Sequence, residues 1–463
     1  MDVETKFNMK FIWSICLIAA LGGLLFGYDW VVINGAKPFF EKYFNLTTPS
    51  QIGWAMSCAL VGCLIGSVTS GISSDKFGRK RLLILSAFIF FFSAIGTGLA
   101  DNFSTFVLFR ILGGVAIGLA SNLSPMYIAE AAPANVRGQF VAVNQLTIVI
   151  GILAAPFVNW LIAKPVPEAA TAAEILNSWN GQYAWRWMFG AAAIPALVFF
   201  ILMFIVPESP RWLIKNGKDK QAQDVLEKIG GASYAVDAVQ QVKDTLTNEI
   251  ERVNFKDLLE PKMMKILAIG IFLAVFQQWC GINTVIYYAD EIFTAAGYGV
   301  SDILFNIVIM GSVFVVFSFA AIFTVDRFGR KILLLLGSAG LALTYIPIGV
   351  CYHTRSTGLH VLVLVVTAIA CYAFSLAPVV WVLLSEIFPN RIRGAAMSVA
   401  VFALWTGCFT LTYTFPAMNA SLGTAKTFWI YAIICAVGFW FVKIFVPETK
   451  GKTLEQIEKE LVD

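Results

Sequence analysis

Charged residues are scarce in this chain. Asp, Glu, Lys and Arg together make up 13% of its 463 residues, which is about half of their share in an ordinary soluble domain. Hydrophobic residues make up 58%, and the mean hydropathy is +0.76. These values exclude an ordinary soluble domain, and a lipid bilayer is therefore the expected solvent of most of the chain.

Groups that carry chemistry are also scarce. The two histidines lie near one predicted outer loop, and the eight cysteines lie in or at the ends of apolar segments without C-x-x-C spacing. No glycine-rich phosphate loop and no nucleophile–base constellation is present. We therefore expect no enzyme, no catalytic residue, no metal and no cofactor. Because loop charge explains the net charge of +4, no nucleic-acid partner is expected either.

Twelve apolar segments are long enough to span a bilayer, which takes about 20 residues. Lys and Arg concentrate in the loops and the long connector on one predicted side of the membrane. Since positively charged loops remain in the cytoplasm, we expect a multi-pass protein of the plasma (inner) membrane with both termini cytoplasmic. The segments lie near residues 11–35, 51–73, 81–99, 104–128, 139–163, 185–206, 264–290, 301–325, 331–352, 360–387, 394–418 and 427–446.

Three charged motifs occur twice in the same order. Residues 75–80, 130–138 and 207–209 return as 326–331, 386–394 and 447–449. Parallel repeats of this kind are typical of transporters whose substrate site lies between two halves. The predicted domains are an N-terminal six-helix bundle (1–206), cytoplasmic linker helices (207–263), a C-terminal six-helix bundle (264–446) and a cytoplasmic tail (447–463). Within the linker, the apolar spacing predicts helices over 219–229 and 236–252.

The repeated charges predict a salt-bridge network at the cytoplasmic ends of the helices. A paired charge at a moving interface between helices is a bistable element, so this network would stabilise one conformation. The alternative is that the charges only set the loop topology. The predicted cytoplasmic latch consists of Asp75, Arg79, Glu130, Arg137, Glu208, Asp326, Arg330, Glu386, Arg393 and Glu448.

Two charged residues stand out inside the predicted spans, Asp29 and Arg110. With the first span ending near Gly35, both lie about 8–9 Å from the outer ends of their helices. An arginine partner lowers the pKa of a carboxylate, whereas a dry cavity without that partner raises it. Opening and closing the pair would therefore let Asp29 take up and release a proton. The alternative is a permanent ion pair that only orients two helices.

Polar side chains inside the spans indicate the ligand. Amides are costly in a membrane unless they face a cavity, and a helix break at Gly281 would let the amides of the seventh span converge. Amides bind hydroxyl groups, and indole rings stack on the apolar faces of sugars. A neutral sugar or polyol is therefore predicted, the alternative being amides that bond helix to helix. The predicted pocket residues are Gln145, Gln277, Gln278, Asn283, Trp381 and Trp405.

The chain resembles the sugar porter family of the major facilitator superfamily over nearly its whole length, and its motifs are most similar to those of bacterial xylose:proton symporters. The resemblance implies an all-α membrane fold of twelve helices in two six-helix bundles, with Asp29 as the proton-coupling carboxylate, Arg110 as its partner, and Tyr287 and Tyr288 as a gate. It also implies that the predicted pocket residues bind sugar. The motifs are 22–29 (GGLLFGYD), Arg110 with 113–114 (GG), 207–213 (PESPRWL), 277–283 (QQWCGIN) and 447–451 (PETKG).

Four departures from the family pattern concern the pocket. Phe314 stands where the family commonly has a sugar-binding Asn, and Leu404 stands where the xylose symporters have Gln. Residues 376–377 are Leu-Ala instead of Trp-Gly, and Ala192 replaces a second carboxylate. Each lost hydrogen bond is worth about 0.5–1.5 kcal/mol. The sugar therefore stays open, and coupling would depend on Asp29 alone.

The leading prediction is proton-coupled import of a monosaccharide, pentose or hexose, by alternating access. The first alternative is a facilitative uniporter in which the pair of Asp29 and Arg110 is structural. A non-transporting sugar receptor is disfavoured by the short tail 447–463. The expected partners are the sugar, the proton and the lipid bilayer, and the expected state is a monomer. Xylose, arabinose, glucose, galactose and an inositol all remain open.

Overall fold

The computed structural model describes residues 7–133, 136–167, 170–248, 260–389, 393–450, 452 and 456. These residues form an all-helical protein without a strand, as the family resemblance implies. A π-helical turn at Asn180–Ala184 precedes the helix Trp185–Gly190. The helices are α1 (Met9–Tyr43), α2 (Pro49–Phe77), α3 (Arg79–Gly98), α4 (Phe103–Ala131), α5 (Arg137–Ile162), α6 (Ala172–Asn177), α7 (Trp185–Gly190), α8 (Ala193–Met203), α9 (Pro210–Lys215), α10 (Asp219–Asn248), α11 (Pro261–Trp279), α12 (Ile282–Tyr287), α13 (Ala289–Ala295), α14 (Val300–Phe328), α15 (Arg330–His353), α16 (Leu359–Phe374), α17 (Leu376–Ile387), α18 (Arg393–Leu422) and α19 (Thr424–Phe445).

Twelve spans in the described part of the chain are long and apolar enough to cross a membrane, which confirms the predicted number. The largest difference lies at the first span. Its predicted end near Gly35 is wrong, because α1 continues to Tyr43. Lys37 interrupts the apolar run, but its charge is paired inside the protein and does not end the helix.

Two spans are broken in the middle. The seventh is divided at Gly281, whose φ of 88° is left-handed, so that α11 ends at Trp279 and α12 begins at Ile282. This confirms the predicted break, since glycine adopts that conformation without the steric penalty of a Cβ atom. The tenth span, predicted as continuous, is divided at Ser375 (φ −129°, ψ −86°) into α16 and α17.

The linker helices agree with the pattern of apolar residues. α10 covers both predicted segments and is kinked at Gly231, where φ is 85°. The second helix therefore begins after Gly231 instead of at residue 236. The last predicted residues of this helix, 249–252, lie outside the described part of the chain.

The chain divides into two compact units. One falls within Met1–Trp30, Val61–Gly151 and Phe189–Arg252, and the other within Val31–Leu60, Ile152–Met188 and Val253–Asp463. The division into two six-helix bundles, a linker and a tail stays a prediction.

Within the first unit, α2 and α4 approach each other closely at glycines. A Cβ atom added to Gly62 would lie 2.0 Å from the Ile111 carbonyl oxygen, and one added to Gly66 would lie 2.2 Å from that of Val115. On the other helix, a Cβ atom at Gly118 would lie 2.4 Å from the Cys63 carbonyl oxygen. Small residues four apart permit such backbone contact between membrane helices. This packing holds α4, and with it Arg110, in a fixed place.

Candidate functional site

A buried ion pair joins α1 and α4 in the first unit. Arg110 Nη1 donates to Asp29 Oδ1 at 2.5 Å. The two residues are 4% and 7% exposed, and the guanidinium lies 5.1 Å from the centre of the Phe189 ring. Such a charge pair is stable in the apolar interior only while both partners are present, because an isolated buried charge is strongly unfavourable.

The pair lies deeper along α1 than the sequence indicated. Fourteen residues separate Asp29 from the end of α1 at Tyr43, or about 21 Å at the rise of an α-helix. The predicted distance of about 9 Å assumed an end near Gly35 and is wrong. Arg110 lies about 10 Å from the start of α4, where Asn102 caps the helix by accepting from the Thr105 N–H at 2.9 Å.

Three amides converge around the break of the seventh span in the second unit. Asn283 Nδ2 donates to Gln278 Oε1 at 2.5 Å, and Gln278 Nε2 donates to Gln277 Oε1 at 3.2 Å. Gln277 Nε2 in turn donates to the carbonyl oxygens of Leu376 and Ala377 at 2.9 and 3.1 Å. The left-handed Gly281 turns the chain so that residues from α11 and α12 meet, which a straight helix would not allow.

One acceptor of this amide chain remains available. Asn283 is fully buried, and its Oδ1 has no hydrogen-bond partner among the described residues. A buried polar atom without a partner is unfavourable, and a hydroxyl group from a ligand would satisfy it. Gln277 and Gln278 are also buried, at 1% and 7% exposure.

The other predicted pocket residues have different surroundings. Gln145 is exposed and belongs to the first unit. In the second unit, Trp381 on α17 is 41% exposed, whereas Trp405 on α18 is only 6% exposed. The structure therefore brings together the three amides of the seventh span.

The two predicted gate tyrosines lie at the end of α12. Tyr287 is 3% exposed. The Tyr288 hydroxyl donates to the Thr412 carbonyl oxygen at 2.6 Å, and its ring lies 4.6 Å from that of Phe415. Tyr288 also separates α12 from α13, with φ −118° and ψ 31°. The second tyrosine is thus fixed between this junction and α18.

Four of the residues that depart from the family pattern are buried, and Ala377 is half-buried. Phe314, Leu404 and Leu376 are at most 5% exposed, and Ala192 is 2% exposed. The centres of the Phe314 and Tyr372 rings are 6.3 Å apart. These apolar side chains pack inside the protein and cannot supply hydrogen bonds to a ligand.

Charged residues of the first repeat form a compact cluster. Arg79 Nη2 donates to Glu130 Oε1 at 2.9 Å, and its Nη1 donates to Asp75 Oδ1 at 3.3 Å. Glu208 accepts from the backbone N–H groups of Arg79 and Lys80 at 2.9 and 3.0 Å, so its carboxylate caps the start of α3. The second carboxylate oxygen of Glu130 accepts from the Ser209 hydroxyl. Four predicted latch residues are thereby connected.

The second repeat reproduces these contacts. Arg330 Nη2 donates to Glu386 Oε1 at 3.0 Å, and Glu448 accepts from the N–H groups of Arg330 and Lys331 at 2.9 and 3.1 Å. The Thr449 hydroxyl donates to Glu386 at 2.5 Å. Arg137 of the first repeat is exposed, and the side chains of Asp326 and Arg393 lie outside the described part of the structure.

Sequence reasoning missed one charged cluster. Lys37 on α1 is 1% exposed and forms ion pairs with Glu41, Asp290 and Glu291. Lys37 lay just beyond the predicted end of the first span, where a charged residue is expected in a loop and does not indicate a functional site. The helical i, i+4 spacing of Lys37 and Glu41 was the available sign that α1 continues.

The described part of the chain contains twelve helices apolar enough to cross a membrane, together with buried polar side chains, and the family match that follows identifies a transporter and not an enzyme. Residues 15–461 match the family model described as "Sugar (and other) transporter", and the chain belongs to this family. It is 39% identical to the D-xylose-proton symporter of Escherichia coli K12, over 98% of this chain and 97% of the relative. It is 38% identical to the arabinose-proton symporter of Bacillus subtilis, over 99% and 96%. An inward open structure of the E. coli xylose transporter XylE is similar with a TM-score of 0.84 and 38% identity, over 97% of this chain and 99% of that one.

Proposed function

We propose that the protein is a proton-coupled monosaccharide importer for a pentose or hexose, which works by alternating access of two six-helix bundles. Asp29 carries the proton and Arg110 is its alternate partner. The observation that carries this proposal is the buried contact between them at 2.5 Å. Two relatives, which carry xylose and arabinose, are named as proton symporters, and both names support the same assignment.

The sugar is proposed to bind beside the amides of the seventh span. The Asn283 Oδ1 atom lacks a partner among the described residues and would accept from a sugar hydroxyl. Gln145, Trp381 and Trp405 would complete the site, and Tyr287 and Tyr288 would close it. Because Phe314 and Leu404 offer no hydrogen bond, we expect recognition through few hydroxyls and through stacking on the exposed Trp381.

The protein is further proposed to lie in the plasma membrane with both termini cytoplasmic, since its basic loops lie on one predicted side. A monomer is the proposed state. The two repeated charge clusters would hold the cytoplasmic ends of the bundles in one conformation and release them in the other.

Uptake of labelled sugars into proteoliposomes tests the proposal. Xylose, arabinose, glucose, galactose and myo-inositol are offered with and without a pH gradient, acidic outside. A symporter accumulates its sugar above the outside concentration only with the gradient. Equilibration to equal concentrations under both conditions would instead identify a uniporter with a structural pair of Asp29 and Arg110.

A further inference from the structure

The Lys37 cluster, consisting of Lys37, Glu41, Asp290 and Glu291, connects α1 to α13. Lys37 Nζ lies 3.0 Å from Glu41 Oε2, 2.9 Å from Asp290 Oδ2 and 2.9 Å from Glu291 Oε1. The ammonium is almost entirely buried, at 2% side-chain exposure, and the Asp290 side chain is 10% exposed. One buried ammonium therefore binds three carboxylates.

The charges of this cluster do not balance. Three ionised carboxylates and one ammonium leave two negative charges. Lys42 is half-buried nearby and donates to the Pro38 carbonyl oxygen at 2.8 Å. When its positive charge is counted as well, one negative charge remains uncompensated. Uncompensated charge in a buried place is strongly unfavourable, and titratable groups respond by neutralising.

The surroundings supply no further cation among the described contacts. Asp290 is only 7% exposed, and its Oδ1 atom has no hydrogen-bond partner within the described residues. The other oxygen of Glu291, Oε2, accepts from Asn419 Nδ2 of α18 at 3.2 Å. The Tyr288 ring lies 5.6 Å from Lys37 Nζ. The orphaned Asp290 oxygen thus points to a ligand that is small, positive and able to bind a carboxylate.

We infer that the Lys37 cluster is a proton-binding site, separate from Asp29, in which the adjacent carboxyls of Asp290 and Glu291 together hold one hydrogen ion. The ion binds a carboxylate oxygen without breaking an existing bond, so the balance requires only proton uptake from water. With it bound, the four-residue cluster keeps one negative charge, and Lys42 offsets that charge.

The electrostatics of Glu291 agree with this site. Burial raises the pKa of its carboxyl above the ordinary value, the Lys37 charge lowers it, and the Asp290 charge raises it again, with a net increase. A carboxyl whose pKa is raised in one arrangement stabilises that arrangement while it is protonated. The contact between α1 and α13 is therefore tightened at low pH, and it weakens as the pH rises through the raised pKa.

Infrared difference spectroscopy tests the site on the full chain in lipid. The pH is changed from about 5 to about 9, a range that includes carboxyl pKa values raised by burial. The wild-type protein should lose the signal of one protonated carboxyl per chain at a pH above the ordinary range of Glu. Glu291→Gln and Asp290→Asn should each abolish that signal, because removing one negative charge removes the need for the proton.

The controls separate this site from the proposed coupling site. Asp302→Asn neutralises an exposed carboxylate in the first turn of α14 and should leave the signal unchanged, as should Asp29→Asn. Lys37→Met should shift the titration to higher pH. The same signal in both Asp290→Asn and Glu291→Gln would overturn the inference, and either variant alone carries this test if the other does not fold. Since no sugar and no gradient is used, failure here would leave the proposed transport mechanism untouched.

Discussion

Replacing Asp29 by Asn should abolish proton-driven accumulation while leaving sugar exchange. The amide keeps the size and an acceptor oxygen of the carboxylate, but it cannot release a proton near neutral pH. Exchange of labelled for unlabelled sugar needs only the loaded carrier to reorient, so it does not require net proton movement. The Asp29→Asn substitution therefore distinguishes proton-driven accumulation from sugar exchange.

The size of the effect follows from the number of carboxyls in the pair. One carboxylate faces one guanidinium, so under the proposed mechanism one proton would accompany each sugar. A gradient of one pH unit supplies about 1.4 kcal/mol per proton, or tenfold accumulation at equilibrium. The Asp29→Asn carrier should reach a ratio of about one under the same gradient, because no proton is bound.

The same change also destabilises the protein by a calculable amount. Arg110 would remain as a buried charge at 4% exposure, and breaking one side of a buried ion pair costs about 3–5 kcal/mol. The double variant Asp29→Asn with Arg110→Gln should therefore recover stability without recovering accumulation.

The assay compares wild type, Asp29→Asn, the double variant and the surface control Asp302→Asn in proteoliposomes. Both the steady-state sugar ratio across the membrane and the rate of exchange are measured at equal protein content. Tenfold accumulation by Asp29→Asn would refute the reasoning, since the proton would then travel through another group. Equal loss of exchange and accumulation in a folded variant would refute the separation of the two steps.

Three further outcomes are expected. Gly281→Ala should lower the Tm and weaken sugar binding, because a left-handed alanine costs about 1–2 kcal/mol and the added Cβ atom would lie 2.6 Å from a ring carbon of Tyr431 on α19. The control Gly407→Ala should be neutral, because the nearest neighbour of its Cβ atom would lie 3.6 Å away. Equal effects of the two substitutions on the Tm would contradict this account. Asn283→Ala should raise the sugar Kd about 2- to 10-fold through one lost hydrogen bond without changing protein abundance, whereas loss of folded protein would favour a packing role. Glu208→Gln should reduce stability by about 1–2 kcal/mol, seen as a lower Tm, because the carboxylate accepts from the first two N–H groups of α3; an unchanged Tm would show that its charge is not needed there.

Particular residues show how far the sequence could predict this site. The break at Gly281 was predictable, because a glycine between buried amides favours a turn that other residues resist. The break at Ser375 was not, since serine is common inside membrane helices and its φ and ψ depend on the packing of α16 and α17. Likewise, the contact of Gln277 with two carbonyl oxygens of α17 joins residues about 100 positions apart.

The repeated charge clusters also show which features the sequence predicted and which it did not. The duplication of the motifs was visible in the sequence, and it predicted a salt-bridge network among these residues without identifying the individual pairs. The geometry of the pairs, with Glu208 and Glu448 on helix starts and Glu130 and Glu386 on arginines, required the folded chain. The distance between α3 and α9 cannot be inferred from the sequence pattern.

The sequence by itself determined that this protein is helical and lies in a membrane, and it shows three charged motifs that occur twice in the same order. Those properties follow from the length of apolar runs and the placement of charge, which are local and additive along the chain. Only the tertiary structure decided that Lys37 is buried among three carboxylates and that the Asn283 Oδ1 atom has no hydrogen-bond partner within the described part of the chain. Burial and charge balance depend on which helices meet, and that is a property of packing between segments far apart in the chain.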